Sequence, residues 1–310
     1  MNGLAVTQTR AAPWDLRVVG AFAAIYLLWG GTFLAIRVAV LQIPPCFTAG
    51  VRFFIAGSIL YVVMRWRGEP RPSRLQWRNL SLISCCMFVA TYGPLFWAER
   101  YVSSSMTAVI EATLPLTAII LEVLVFRSQV LQWRVLVGVL TGFGGVALLM
   151  FNNEQQHLAR WPSLVILGAG VAWSLGAVLS GRLQLHPSRV LTAGAEMMIA
   201  GVVLLAWSAA AGELKPLPQI TLSAGLALLY LIIFGSLIAF SAYVWLLGRF
   251  SVTRVSSHAY VNPVIALALG YFAAGEVITA RSVVASVLVV ASVFLILARD
   301  PGSRGIVARR

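Results

Sequence analysis

Glu111 stands where a carboxylate is expensive. It lies about ten residues into the apolar run 102–126, roughly 15 Å down a helix that rises 1.5 Å per residue. His258 lies about eight residues into the run 250–272, with Asn262 at i+4 on the same helical face and Pro263 beside it. An ionisable group deep in an apolar helix marks either a functional site or a structural hydrogen bond between helices. As a functional pair, a carboxylate receives an ammonium group, while an imidazole or exposed helix amides receive a carboxylate. An amino acid carries both groups. Tyr92, Trp97 and Trp245 are the aromatic candidates for the walls of such a site, although tryptophan and tyrosine also gather at membrane interfaces. Pro115 and Pro263 each remove a backbone hydrogen bond. The carbonyls they free can face a cavity, and the prolines then act either as hinges or as fixed kinks.

The composition says what must hold these residues. Of 310 residues, 60% are apolar and only 11% are charged, with a mean hydropathy of +0.88. A soluble domain carries about 25% charged residues, so the solvent for most of this chain is lipid. The net charge of +13 does not point to nucleic acid, because the arginines sit in short loops between apolar spans, as topology requires. Cys46, Cys85 and Cys86 are too few for a disulfide framework or a zinc site. The polar first sixteen residues do not read as a signal peptide.

Ten apolar spans are long enough to cross about 30 Å of hydrocarbon. They run at 17–38, 46–65, 78–98, 102–126, 132–151, 161–180, 188–210, 220–247, 250–272 and 281–299. With the N-terminus in the cytoplasm, 17 of the 23 lysines and arginines fall on that side. The other six are Arg37, Arg52, Arg100, Arg160, Lys215 and Arg281. That bias places both termini in the cytoplasm.

The chain also repeats itself. Adding 144 to the residue number carries Trp29 to Trp173, Thr48-Ala49-Gly50 to Thr192-Ala193-Gly194, and Ile55-Ala56-Gly57 to Ile199-Ala200-Gly201. Further along, adding 148 carries Trp97 to Trp245 and Pro115 to Pro263, and it sets His258 against Ile110, next to Glu111. Each half holds five spans, an odd number, so the halves enter the membrane from opposite sides. The expected fold is an all-α polytopic membrane protein of ten helices, arranged as two inverted five-helix repeats around a central cavity. Such antisymmetry is a recurring device of secondary transporters. The expected division is a cytoplasmic tail at 1–16, a first repeat at 17–151, a connecting loop at 152–160, a second repeat at 161–299 and a second cytoplasmic tail at 300–310.

Three stretches carry a resemblance: LLWGGTFLAIRVAVLQIPPCFTAGVRFFIAG, FWAERYVSSSMTAVIEATLPLTAIILEVLVF and YFAAGEVITARSVVASVLVVASVFLIL. In this order and with ten spans, the chain resembles the ten-helix EamA-type branch of the drug/metabolite transporter superfamily over nearly its whole length. It looks most similar to the bacterial aromatic-amino-acid exporters of that branch. The resemblance implies export of small metabolites across a bacterial inner membrane, with alternating access in place of catalysis. Members often carry a Glu just after the fourth and ninth spans. Glu276 fits the second place and Ser128 departs from the first. Neither the first nor the sixth span contains an acidic residue, so the proton-coupling Glu of the four-helix relatives has no counterpart there.

The remaining candidates are structural. Trp29 with Gly30 and Gly31 suits close helix packing, and Gly138 with Gly142 forms a GxxxG pattern that serves packing within the chain or a dimer seam. Arg52 and Glu196 are matched at the first offset and pair either with each other as an intramembrane ion pair or with separate partners within each half. No phosphate loop, His-x-x-x-His metal pair or nucleophile elbow is present in the sequence, so neither a cofactor nor a metal is expected. The expected partners are a small-molecule solute and the lipid bilayer, for a monomer or a dimer.

Overall fold

The computed structural model describes residues 15–126, 133–150, 157–215, 220–247, 249–250, 255 and 258–297. Nearly all of both expected tails, residues 152–156 of the expected connecting loop, and Ser128 lie outside the described residues. In lipid every backbone N–H and C=O must be satisfied within its own segment, which leaves an apolar chain the α-helix. No strand occurs among the described residues. The helices in order are α1 Leu16–Val40, α2 Pro45–Trp66, α3 Arg74–Ala98 and α4 Ser104–Val125, then α5 Trp133–Met150 and α6 His157–Ser180. They continue with α7 Arg189–Ala210 and α8 Leu222–Leu247, α9 His258–Ala274 and α10 Ala280–Leu297. Asp15, Ser73, Ser103, Ser188 and Thr221 each accept a backbone N–H at a helix start, so polar caps set where these spans begin.

The repeated stretch builds the densest contact in the molecule. On α2 the buried residues Ala49, Gly50, Phe53, Ala56, Gly57 and Leu60 form one face. On α7 the positions 144 further on, Ala193, Gly194, Met197, Ala200, Gly201 and Leu204, are also buried. Gly50 meets Leu205, Phe54 meets Gly201, Gly57 meets Met198 and Tyr61 meets Gly194. The helices therefore run in opposite directions, and the crossing centres where Ile55-Ala56-Gly57 meets its own copy. A Cβ on Gly57 would stand 2.3 Å from the Met198 backbone nitrogen, and one on Gly201 would stand 2.3 Å from that of Phe54. Only glycine permits this approach.

Helices α5 and α10 make a second opposed pair. Gly142 packs on Ser292, and Gly145 on Ala285 and Val289, while Gly138 is buried as well. The GxxxG face is thus occupied within the chain. Four tryptophans sit at helix ends and face outward, Trp66, Trp133, Trp161 and Trp207, with exposures of 84%, 70%, 68% and 63%. That is the arrangement of an interfacial aromatic belt.

Several helices are not regular. Wider π-type turns occupy Ala24–Leu28 in α1, Cys85–Val89 in α3, Leu121–Val125 in α4 and Leu231–Ile238 in α8. Such turns occur frequently at functional sites. Helix α4 is interrupted at Ala112–Thr113, directly after Glu111, because Pro115 has no N–H to return to the Glu111 carbonyl. Thr113 Oγ1 bonds back to the Ile110 carbonyl at 2.7 Å, and Ser174 Oγ of α6 reaches the Leu114 carbonyl at 3.1 Å. Pro263, the matched proline, instead lies inside the continuous helix α9.

Candidate functional site

A cavity of about 130 Å³ lies at the centre of the bundle. Its lining comes from α1, α2, α3, α4, α6, α7, α8 and α9. The opposed pair α5 and α10 contributes no lining residue and braces the bundle from outside. Four of the six substrate candidates, Tyr92, Glu111, His258 and Asn262, line the cavity together with Pro263. They come from the consecutive helices α3 and α4 and from the distant α9.

Two aromatic groups form the walls. Trp173 of α6 meets Phe88 and Tyr92 at ring distances of 5.9 Å each, and Tyr92 stands edge-on to Phe53 at 4.7 Å. Facing them, Trp29 contacts His258 at 4.9 Å, Tyr243 at 5.1 Å and Phe240 at 6.2 Å. Phe88 and Phe240 approach to 6.4 Å and join the two groups. Ring centroids at these distances, several of the pairs edge-to-face, are within the favourable range for aromatic pairs. The repeat-matched pair Trp29 and Trp173 thus stands on both sides of one cavity.

The polar groups are few. Glu111 Oε1 is buried with no hydrogen-bond partner, and the missing side chain of Gly170 leaves it room at 3.8 Å. His258 Nδ1 lies 3.0 Å from the Val255 carbonyl oxygen, so its other ring nitrogen is the one left for a ligand. With the Asn262 amide turned so that its nitrogen faces acceptors, that nitrogen donates to the carbonyls of His258 and Tyr26 at 3.2 Å each, tying α9 to the widened turn of α1. No hydrogen bond joins Glu111 to His258, although both line the same space.

Three expectations are corrected here. Trp97 and Trp245 do not line the cavity. Trp97 packs on Tyr101 at 5.2 Å, and Trp245 lies under the Arg249 guanidinium at 3.6 Å. Each turns away because helical position fixes depth, whereas azimuth depends on the neighbouring helix. Trp29 is more than a packing residue: it faces the cavity, and its Nε1 donates to the Gly235 carbonyl at 3.0 Å. Its neighbours Gly30 and Gly31 do pack closely, against Ile265 and Tyr230. Arg52 and Glu196 form no ion pair. Arg52 lines the cavity and Nε donates to Ser236 Oγ at 2.9 Å, while Glu196 lies outside the lining with Oε1 unpartnered. A match at a fixed offset need not be a contact, because on the opposed helices α2 and α7 the matched positions approach each other only near the centre of the crossing.

The sequence alone did not single out Trp173, Phe88, Gly235 or Ser236 for the lining. Trp173 was within reach as the copy of Trp29. The others sit in widened turns, which the apolar pattern does not reveal. Glu99 was also missed. It stands at a span end in sequence but is fully buried, with neither carboxylate oxygen hydrogen-bonded. Arg37 donates to its backbone carbonyl and, at 2.9 Å, to that of Val102.

The end of the bundle remote from Leu16 and Leu297 carries two carboxylates on helix N-termini. Glu276 accepts from Ser104 N at 2.8 Å and Oγ at 2.7 Å, and from Ser105 N at 3.2 Å and Oγ at 2.6 Å. Glu213 likewise receives Cys46 N at 3.3 Å and Phe47 N at 3.0 Å. Both place negative charge on the positive end of a helix. Gly275, at φ 65°, turns the chain so that the Glu276 N–H bonds back to Gly270 at 2.9 Å.

Comparison with known proteins agrees with this architecture. The model of the EamA-like transporter family matches twice, at residues 17–151 and 160–298. This chain belongs to the EamA-like transporter family. Relatives of the EamA-like chain include the uncharacterised inner membrane transporter YedA of Escherichia coli (strain K12), 36% identical over 91% of this chain and 90% of that protein. Protein PagO of Salmonella typhimurium is 26% identical over 89% and 91% of the two chains. A chain of known crystal structure, 19% identical, shares the fold with a TM-score of 0.63 over 91% of this chain and 99% of its own. The molecule is an all-α, multi-pass membrane transporter of the EamA-like family.

Proposed function

We propose that this EamA-like chain is a secondary transporter of the bacterial inner membrane. It exports small organic metabolites, with amino acids, including aromatic ones, as the first substrate class. It works by alternating access of two inverted five-helix repeats, with both termini in the cytoplasm. The observation that carries the reading is the cavity itself, an aromatic enclosure holding the unpartnered Glu111 carboxylate, His258 and Asn262. A carboxylate there receives an ammonium group, and the rings receive an apolar or aromatic side chain.

The opposed crossing of α2 and α7 at equivalent positions supports the inversion, since an axis in the membrane plane passes where a stretch meets its own copy. The inner-membrane name of YedA supports the location. The size of the cavity favours solutes over lipids. A dry engineered cavity of roughly 150 Å³ takes a benzene-sized guest, and 130 Å³ is on that scale. A phospholipid does not fit, which disfavours a flippase. Cationic compounds are the second reading, favoured by the rings and Glu111. A nucleoside is less well served, because the lining offers few groups to hydrogen-bond a base and a sugar.

The test is flux in liposomes containing the purified protein. A labelled amino acid moves faster than in empty liposomes, and competition by a broad panel ranks amino acids above nucleosides and cationic dyes. No flux for any amino acid removes that substrate class.

A further inference from the structure

The cavity holds a charge that the reading above leaves unused. Arg52 is 3% exposed and, as a guanidinium, keeps its charge at any relevant pH. Nε is fixed by Ser236, and the cation lies 4.9 Å from the Phe53 ring centre and 5.4 Å from that of Tyr92. No carboxylate lies within ion-pair distance of it among the described residues, and Nη1 is buried with no hydrogen-bond partner. An unpaired buried cation is unfavourable unless something completes it.

The surroundings keep the outer edge of the guanidinium free. Gly235 stands beside it in the widened turn of α8, and a Cβ there would approach Arg52 Nη2 to 3.3 Å and Thr32 Cγ2 to 2.8 Å. The Gly235 carbonyl is held by Trp29, so the space is maintained. The same cavity contains Glu111, also with an unpartnered oxygen. One enclosure therefore presents a cation and an anion, each lacking a partner, between aromatic rings.

We propose that Arg52 is the carboxylate-receiving group of this cavity, so that the site selects zwitterions: carboxylate on Arg52, ammonium on Glu111, side chain among the rings. The assignment rests on the transport reading and replaces His258 as the expected carboxylate partner. A guanidinium grips a carboxylate through two parallel N–H donors, a geometry that lysine does not reproduce.

Ligand-induced thermal stabilisation of the purified full-length protein tests it. The probes are phenylalanine, phenethylamine, which lacks the carboxylate, and 3-phenylpropionate, which lacks the amine. Arg52→Gln weakens phenylalanine and 3-phenylpropionate by about tenfold or more, the loss of a charged hydrogen-bonded pair, and changes phenethylamine less than about twofold. Glu111→Gln weakens phenylalanine and phenethylamine and spares 3-phenylpropionate. If Arg52→Gln does not fold, Arg52→Lys and Ser236→Ala carry the test, since both keep a cation but lose its fork or its anchor. Each then weakens phenylalanine and spares phenethylamine. Carboxylate ligands that bind all these variants as they bind the unaltered chain overturn the Arg52 assignment and leave the transport reading standing. An unaltered chain that binds phenethylamine but no carboxylate also overturns the assignment. Failure to bind or move any amino acid in the panel overturns the amino-acid reading together with it.

Discussion

Glu111 shows how a residue's role follows from what it lacks. Its carboxylate is buried in the cavity, with an oxygen to which no protein donor is assigned. Glu111→Gln keeps the volume and removes the charge, so transport of an amine-bearing solute in liposomes falls by about tenfold or more, the size of one lost ionic hydrogen bond. Unchanged rate and affinity would return Glu111 to a structural role. Depth in an apolar run was enough to single out Glu111 and His258 from sequence, because the cost of a polar group in lipid depends on depth; Asn262 followed from its i,i+4 spacing to His258, and Tyr92 from its aromatic ring. Facing direction was not legible, which is why Trp97 and Trp245 turn out to pack on Tyr101 and Arg249. Arg52 was read against its repeat mate Glu196, whereas its real neighbours Ser236 and Gly235 come from a widened turn that leaves no mark in the apolar pattern.

At the scale of helices, two devices hold the cavity's frame. The first is the glycine crossing of α2 and α7. Gly57→Leu puts atoms where the Met198 backbone lies, and overpacking of this kind destabilises by roughly 1–3 kcal/mol or more. A lowered melting temperature in detergent checks it, with Gly144→Ala as the control, since no atom lies within 4 Å of a Cβ there. The second device is Glu276 on the first turn of α4. Its four accepted bonds need both carboxylate oxygens, and the amide of Glu276→Gln supplies only one acceptor oxygen. The loss is on the order of 1–3 kcal/mol, read as a lower melting temperature than that of the unaltered chain; equal melting temperatures would deny the cap its weight. Helix existence was legible throughout, since lipid leaves an apolar chain little alternative. The repeated Thr-Ala-Gly and Ile-Ala-Gly triplets were visible as a repeat, but that they meet each other at one crossing became clear only with the two helices placed.

For the whole molecule, the central idea is two sibling five-helix units lying upside down to each other around one cavity, which opens alternately to either compartment. The repeat supports it, as do the double match to the family and the opposed crossing at equivalent positions. The inversion has a direct signature in matched loops. Gln42, between α1 and α2, and Gln184, between α6 and α7, are both exposed, and they sit at corresponding bends of the two halves. In a chain whose Cys46, Cys85 and Cys86 are replaced by serine, Gln42→Cys and Gln184→Cys are labelled separately with a membrane-impermeant maleimide. The account predicts that intact cells label position 42 and everted vesicles label position 184. Labelling of both from the same side would contradict the inversion and with it the alternating-access mechanism.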